Sequence, residues 1–211
     1  MAHQFINARQ AIRAIQSRYA GLLDPNEIRL GTARALNRTA AGVRTAASKE
    51  MRTVYAVKAG AVSKSAVKDK AYTNKQNVAI GYEGRPLPLN AFPYRATAKG
   101  VSVTIRKGNK ATIQKAFVAI MPNGHVGIYA RGYYGESFNF RIKRLKKATK
   151  GTPRDKWPND LPITELTTKS VAGMFLNEKV STRAVKSISE ILPKRLEHEL
   201  SRLLAKKGGA V

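Results

Sequence analysis

The sequence predicts an α+β fold: an antiparallel β-sheet packed with a long N-terminal helix and C-terminal helices. Three observations predict it. From Gly100 to Arg131, apolar residues alternate with polar ones and are punctuated by tight-turn sequences. Before this stretch, apolar residues recur every three or four positions for more than twenty residues. After it, a leucine-rich run repeats the helical period.

In chain order, Phe5, Ala8, Ile12, Ile15, Tyr19 and Leu22 mark one face of a first helix, with Arg9, Arg13 and Arg18 opposite. Asp24-Pro25 ends it and starts another: Asp is a good N-cap, Pro suits the first helical position, and Glu27 suits the positive end of the helix dipole. Leu30, Ala33, Leu36, Ala40, Val43, Ala47, Met51 and Val54 carry this second helix to near Lys58. At 1.5 Å per residue it is on the order of 50 Å long. Its alanine-rich stripe implies close backbone packing, because alanine favours helix but buries little surface. Gly31 and Gly42 are expected to weaken it slightly. The polar face bears Arg34, Arg38, Arg44, Lys49 and Arg52. It suits either a neighbouring subunit or polyanion, or simply solvent.

Gly60 ends the segment, and Ser63 is expected to cap a short basic helix over SKSAVKDKAY. Val78 and Ile80 read as a strand. Gly84 to Pro93 is extended by its prolines and inserts Leu87, Leu89 and Phe92. Val101, Val103 and Ile105 alternate as a strand, Lys107-Gly108-Asn109-Lys110 is a turn, and Phe117 to Met121 is either strand or helix end. Pro122-Asn123-Gly124-His125 predicts a hairpin with Asn-Gly as its central pair. Val126, Ile128 and Ala130 continue on the far side. Gly132 opens an irregular stretch with Arg141, Lys143, Arg144, Lys146, Lys147, Lys150, Arg154 and Lys156. Tyr133, Tyr134, Phe138 and Phe140 beside it either stack on single-stranded nucleic acid or anchor the loop to the core. Leu161-Pro162-Ile163 is extended. Ser170 or Thr167 caps a helix burying Val171, Met174 and Phe175. The last helix, from about Thr182, buries Val185, Ile188, Ile191, Leu192, Leu196, Leu200, Leu203 and Leu204, and Pro193 should kink or split it. The expected organisation is one structural domain: a helical region over 1–60, then a core over 61–211 with the basic loop at 132–160.

The chain of 211 residues holds 39 Lys and Arg against 13 Asp and Glu, a net charge of +26. Such a field draws polyanions over a Debye length of roughly 8–10 Å, so DNA, RNA or an acidic protein surface is the expected neighbour. With no cysteine, disulfides, thiolate metal sites and a catalytic thiol are excluded. No apolar run approaches the roughly 20 residues of a membrane span. The first residues lack a signal-peptide core. Their arginines and missing acids would suit a mitochondrial targeting helix, but the periodicity runs on into the first folded helix.

Catalytic chemistry is not expected. His3, His125 and His198 are far apart and lack metal-ligand spacing. Neither GxxxxGK[ST] nor GxGxxG occurs. Asp155, Asp160 and Glu165 are expected to pair with nearby lysines, and Glu197 and Glu199 are two residues apart and do not face each other on a helix. No Ser or Thr is marked as a nucleophile, and no cofactor is called for.

The ordered series ALNRTAAGVRTAASKEMRTVYAVKAGAVSKS, RPLPLNAF, GVSVTIRKG, AFVAIMPNGHVGIYAR, LPITELTTKSVAGMF and the terminal leucine-rich helix resembles the minor tail protein Z family of tailed bacteriophages and prophages, the tail completion proteins. The resemblance spans Leu30 to Leu204. It implies a structural, non-enzymatic virion protein of the tail or neck, assembled in the host cytoplasm. Such a protein acts at the head-proximal end of the tail and enables head–tail joining. The implied partners are further copies in a ring, a hexamer by analogy with a tail tube, together with tail terminator, tail tube or head–tail connector proteins. Non-specific contact with genomic DNA is also implied, and no membrane. Ala40, Val43, Ala47 and Met51 are then the candidate subunit interface. The cations from Arg141 to Lys156 are the candidate contact with DNA or an acidic partner. The alternative is a basic nucleic-acid-binding protein of host or phage.

Overall fold

The computed structural model describes residues 12–131, 133–134, 142–143 and 163–208. The chain is α+β, with antiparallel sheets, a long helix towards the N-terminus and another at the C-terminus. It divides into two compact units: Met1–Met51, Ser63–Glu83 and Ala172–Val211 form one, and Arg52–Val62 with Gly84–Val171 the other.

The first unit is built on helices α1 (residues 12–19), α2 (Pro25–Val54, continuing just beyond the unit) and α5 (Glu178–Gly208). The start of α2 is fixed reciprocally. The Asn26 N–H donates to Asp24 Oδ1 at 2.9 Å, and Glu27 Oε2 accepts the Asp24 N–H at 2.9 Å. This is a capping box with Asp as the cap. The shared core is Ile15 and Leu23, Ala35 of α2, and Leu192, Leu196 and Leu200 of α5, with Ile12, Tyr19, Ile28 and Leu36 packed around it. The two glycines of α2 are packing points. A Cβ on Gly31 would stand 2.8 Å from Leu200 Cδ2, and one on Gly42 3.2 Å from Ile191 Cδ1. Pro193 does not split α5, which runs unbroken through it for 31 residues. The helix begins earlier than expected because Asn177 caps it, its Oδ1 accepting the Lys179 N–H.

The Ser63–Glu83 segment is not the expected basic helix. The short helix α3 lies earlier, at Ala59–Lys64, and ends where Ser63 was expected to begin one. The rest is an irregular ribbon in which Val67 donates to Gly81 O and Glu83 to Ser65 O. Residues 78–80 form no strand, because Asp69 takes the Ala79 N–H at 2.8 Å. Asn37 of α2 ties the segment down, exchanging hydrogen bonds of 2.8 and 2.9 Å with the Ala71 backbone.

The second unit holds small antiparallel sheets instead of one large one. Strands β2 (Tyr94–Thr97), β3 (Gly100–Arg106) and β4 (Asn109–Gln114) form one; β5 (Phe117–Ile120), β6 (Val126–Arg131) and β9 (Ile163–Glu165) form another. Two-stranded pairs join β1 (Leu87–Pro88) to β10 (Thr167–Thr168) and β7 (Tyr133–Tyr134) to β8 (Ile142–Lys143). Phe117–Ile120 is thus strand, and β6, central in its sheet, buries Ile128, Tyr129 and Ala130. The β5–β6 turn centres on Pro122-Asn123 rather than Asn-Gly: the Gly124 N–H donates to Met121 O, and Gly124 then takes φ +79°. Pro at the second turn position and Gly at the fourth are what a type I turn favours. Leu87, Leu89 and Phe92 are buried as expected. Asn90 Nδ2 donates to Val126 O, holding this crossing on β6. The helix α4 spans Val171–Phe175. Because Thr167 lies in β10, Ser170 is the residue that precedes this helix.

Candidate functional site

The sequence places its partner contacts on two features. All eight cations from Arg141 to Lys156 lie outside the described residues, except for the backbone of Lys143 in β8. The other feature lies in the interior of the single chain. Ala40, Val43, Ala47 and Met51 are 0–1% exposed within the single chain. The close packing that an alanine stripe implies is met by the protein's own interior, so this face is not open to another subunit.

The described residues present a different surface, on the β2–β3–β4 sheet. Its register sets Arg95 opposite Ser102 and Ser102 opposite Thr112, with Thr104 opposite Lys110. Opposed residues share a face and alternate residues return to it, so Arg95, Thr97, Ser102, Thr104, Lys110, Thr112 and Gln114 lie on one side. Tyr94, Val101, Val103, Ala111 and Ile113 lie on the other, where Val101, Val103 and Ile113 are buried; on the polar side Ser102 of the central strand is buried too, and Arg95, Thr97, Lys110, Thr112 and Gln114 of the outer strands are exposed. The two turns add further cations. Lys99 lies in the β2–β3 turn and Lys107 in the β3–β4 turn. Lys115, just past β4, donates its N–H to Lys99 O at 3.1 Å, which sets the two lysines together at one end. Arg95, Lys99, Lys107, Lys110 and Lys115 are all exposed.

Among the described residues no counter-charge accompanies them. From Gly84 to Gly135 the sequence has no Asp or Glu, against eight Lys and Arg. The described acid of this unit is Glu165, and it is engaged by His125, whose Nε2 lies 2.8 Å from Glu165 Oε1, rather than by a lysine. Among the described residues, no Lys or Arg of this sheet has an ion-pair partner. Two neighbouring cations lie over aromatic rings: Arg106 over Tyr55 at 5.8 Å and Lys58 over Tyr94 at 5.9 Å. The helical unit differs. There Arg18 meets Glu197, Arg183 meets Glu190, Lys75 meets Asp69, and Arg38 and Arg202 meet Glu199. In the sequence the cations of this sheet are sparser than those from Arg141 to Lys156, and the acid-free interval from Gly84 to Gly135 is the signal that marks them.

Among the described residues no three His, Asp or Glu side chains converge as a metal site. The open cleft of about 850 Å³ beside α1, lined by Ile12, Arg13, Gln16, Arg29, Thr32 and Gln76 among others, gathers no reactive set. Gln16 bonds Thr32 at 2.8 Å and Gln76 bonds the Tyr72 and Arg29 carbonyls. No described helix is long and apolar enough to cross a membrane. Comparison with protein-family models, curated proteins and solved structures gives no match.

Proposed function

We propose that this chain is a structural bacteriophage virion protein, a tail completion component at the head-proximal end of the tail that makes the tail competent to join a filled head. The observation that carries the reading is the ordered series from Leu30 to Leu204. Each of its segments coincides with a structural element: the long helix α2, the buried crossing at Leu87–Phe92, strand β3, the β5–β6 hairpin, the β9–β10–α4 stretch, and α5. The net charge of +26 supports it further, since a protein at the mouth of a DNA-filled head works beside polyanion. In this reading the chain acts as a homo-oligomeric ring, a hexamer, against tail terminator, tail tube or connector proteins. The ring interface lies on a surface other than the Ala40–Met51 stripe. A cyclic ring repeats one heterologous interface around its axis.

The alternative is a basic nucleic-acid-binding protein that works as a monomer or dimer, and the acid-free sheet favours that possibility. Native mass spectrometry with and without DNA separates the two. A closed ring whose mass does not depend on DNA is expected. Adding the protein to tails and filled heads from an infection lacking it should restore joining. A monomer that associates only along DNA, with no restored joining, would discard the tail reading.

A further inference from the structure

We infer that the polar face and turns of the β2–β3–β4 sheet form a contact surface for the phosphate backbone of duplex DNA, separate from the loop at Arg141–Lys156. Its charge is one-sided: Arg95, Lys99, Lys107, Lys110 and Lys115 are exposed, and no described carboxylate neutralises them. Cations gathered on one sheet with no described counter-charge raise a positive potential that draws a polyanion.

The chemistry of the face selects among polyanions. Alongside the cations it offers the hydroxyls of Thr104 and Thr112 and the amide of Gln114, groups that commonly contact phosphate oxygens. It carries no aromatic or aliphatic side chain of the kind that anchors a protein–protein interface. Tyr94, the aromatic of this sheet, lies on the opposite side, so the polar face also has no platform on which unpaired bases could stack. A duplex backbone fits these properties better than an acidic protein or a single strand does.

The dimensions fit as well. Lys99 and Lys115 stand at one end of the sheet, Lys107 and Lys110 at the other, and Arg95 between them. The six steps from Gly100 to Arg106 span about 20 Å. That exceeds the roughly 12 Å width of a major groove, so the two ends can reach phosphates on its opposite sides. Contact of this kind positions the protein without reading sequence.

The inference does not depend on the tail-protein reading, and its test needs no virion. A variant with Arg95, Lys99, Lys107 and Lys110 changed to Gln is compared with the unchanged protein by fluorescence anisotropy on a duplex of random sequence, across a salt series. Each lost phosphate contact should lower the slope of log affinity against log salt by about 0.9. The expected result is a slope reduced by about 2 to 4 and an affinity loss of roughly tenfold or more, with unchanged circular dichroism. An Arg95→Lys, Lys99→Arg, Lys107→Arg, Lys110→Arg variant should bind as the unchanged protein does, which guards against a folding artefact. An unchanged slope in the Gln variant would overturn the inference. So would tighter binding of a single strand than of duplex, or preferential binding of polyglutamate, which would assign the face to an acidic protein. Loss of duplex binding with intact head–tail joining would leave both readings separately decided.

Discussion

Arg38 of α2 meets the fully buried carboxylate of Glu199 on α5, Nη1 to Oε1, at 2.9 Å. Arg202, one turn along α5, approaches the other oxygen at 3.0 Å. Neither carboxylate oxygen receives an aligned hydrogen bond, so the attraction is Coulombic. A buried carboxylate is costly to desolvate, and these two half-exposed guanidiniums are its compensation. Removing one leaves the other in place. Changing both Arg38 and Arg202 to Met should therefore destabilise the fold by about 3–5 kcal/mol, whereas Glu199→Met should be near neutral or stabilising. Urea unfolding of the three proteins decides it: a double variant as stable as the unchanged chain would show that the arginines do not support the buried charge.

Gly100 is the most constrained glycine described. It begins β3 at φ +144°, and a Cβ there would lie 2.0 Å from the Ile113 carbonyl oxygen of β4. Neither the backbone conformation nor the space suits an L side chain, and the obstacle is backbone that cannot swing away. Gly100→Ala should cost more than about 3 kcal/mol and loosen the β2–β3–β4 sheet. Gly60→Ala, with open space at its Cβ, is the matched control and should be near neutral. Thermal unfolding of both gives the comparison, and equal melting temperatures would refute the strain.

Several of these features are legible in the residues and others are not, for physical reasons. Asp24-Pro25-Asn26-Glu27 specifies its helix start locally, and the structure uses it so. Leu87, Leu89 and Phe92 are apolar in a proline-rich stretch and go inside. Pro193 does not split its helix, because the cost of an interior proline is outweighed by tertiary packing: Leu192, Leu196 and Leu200 on the same helix are all buried in the core. The Ala40–Met51 stripe reveals that a face is buried but not by what, since periodicity is the same for a core and for a subunit interface. The cationic sheet depends on an absence, the missing acids from Gly84 to Gly135, which no motif announces.

Two groups of the helical unit predict opposite pH dependences. The Asp69 carboxyl is held below its ordinary value, first by the Lys75 ammonium at 2.6 Å and then by the Ala79 N–H. A depressed carboxyl contributes stability that is present above its unfolded value, about 3.9, and is lost as pH falls through the lower folded value. Tyr82 is pushed up by burial, with Arg44 opposing. Its contribution is present below the unfolded value, about 10, and is lost as pH rises through the folded one. Lys75→Met should raise the Asp69 titration midpoint seen by NMR, and phenolate absorbance should show late titration from Tyr82 and from Tyr129, which burial and then Glu165 also push up, with the late amplitude reduced but not abolished in Tyr82→Phe. An unmoved Asp69 midpoint would remove Lys75 as the cause.

Acidic substitutions on the α2 stripe now carry a different expectation from the one an interface would give. Ala40 and Ala47 are 1% and 0% exposed, so Ala40→Glu and Ala47→Glu would each place a carboxylate in a close-packed interior. Arg38 is already committed to Glu199, and the guanidinium of Arg44, one turn from both positions, reaches the Asp69 carbonyl. The burial cost of an unpaired charge, together with overpacking, should exceed about 3 kcal/mol per site. The double variant should therefore lose its folded monomer, with loss of helical circular dichroism and of cooperative unfolding, and any failure to assemble would follow from that. If the double variant kept a folded monomer of unchanged stability and failed only to oligomerise, the stripe would be a subunit interface after all and its burial in the single chain would have to be abandoned.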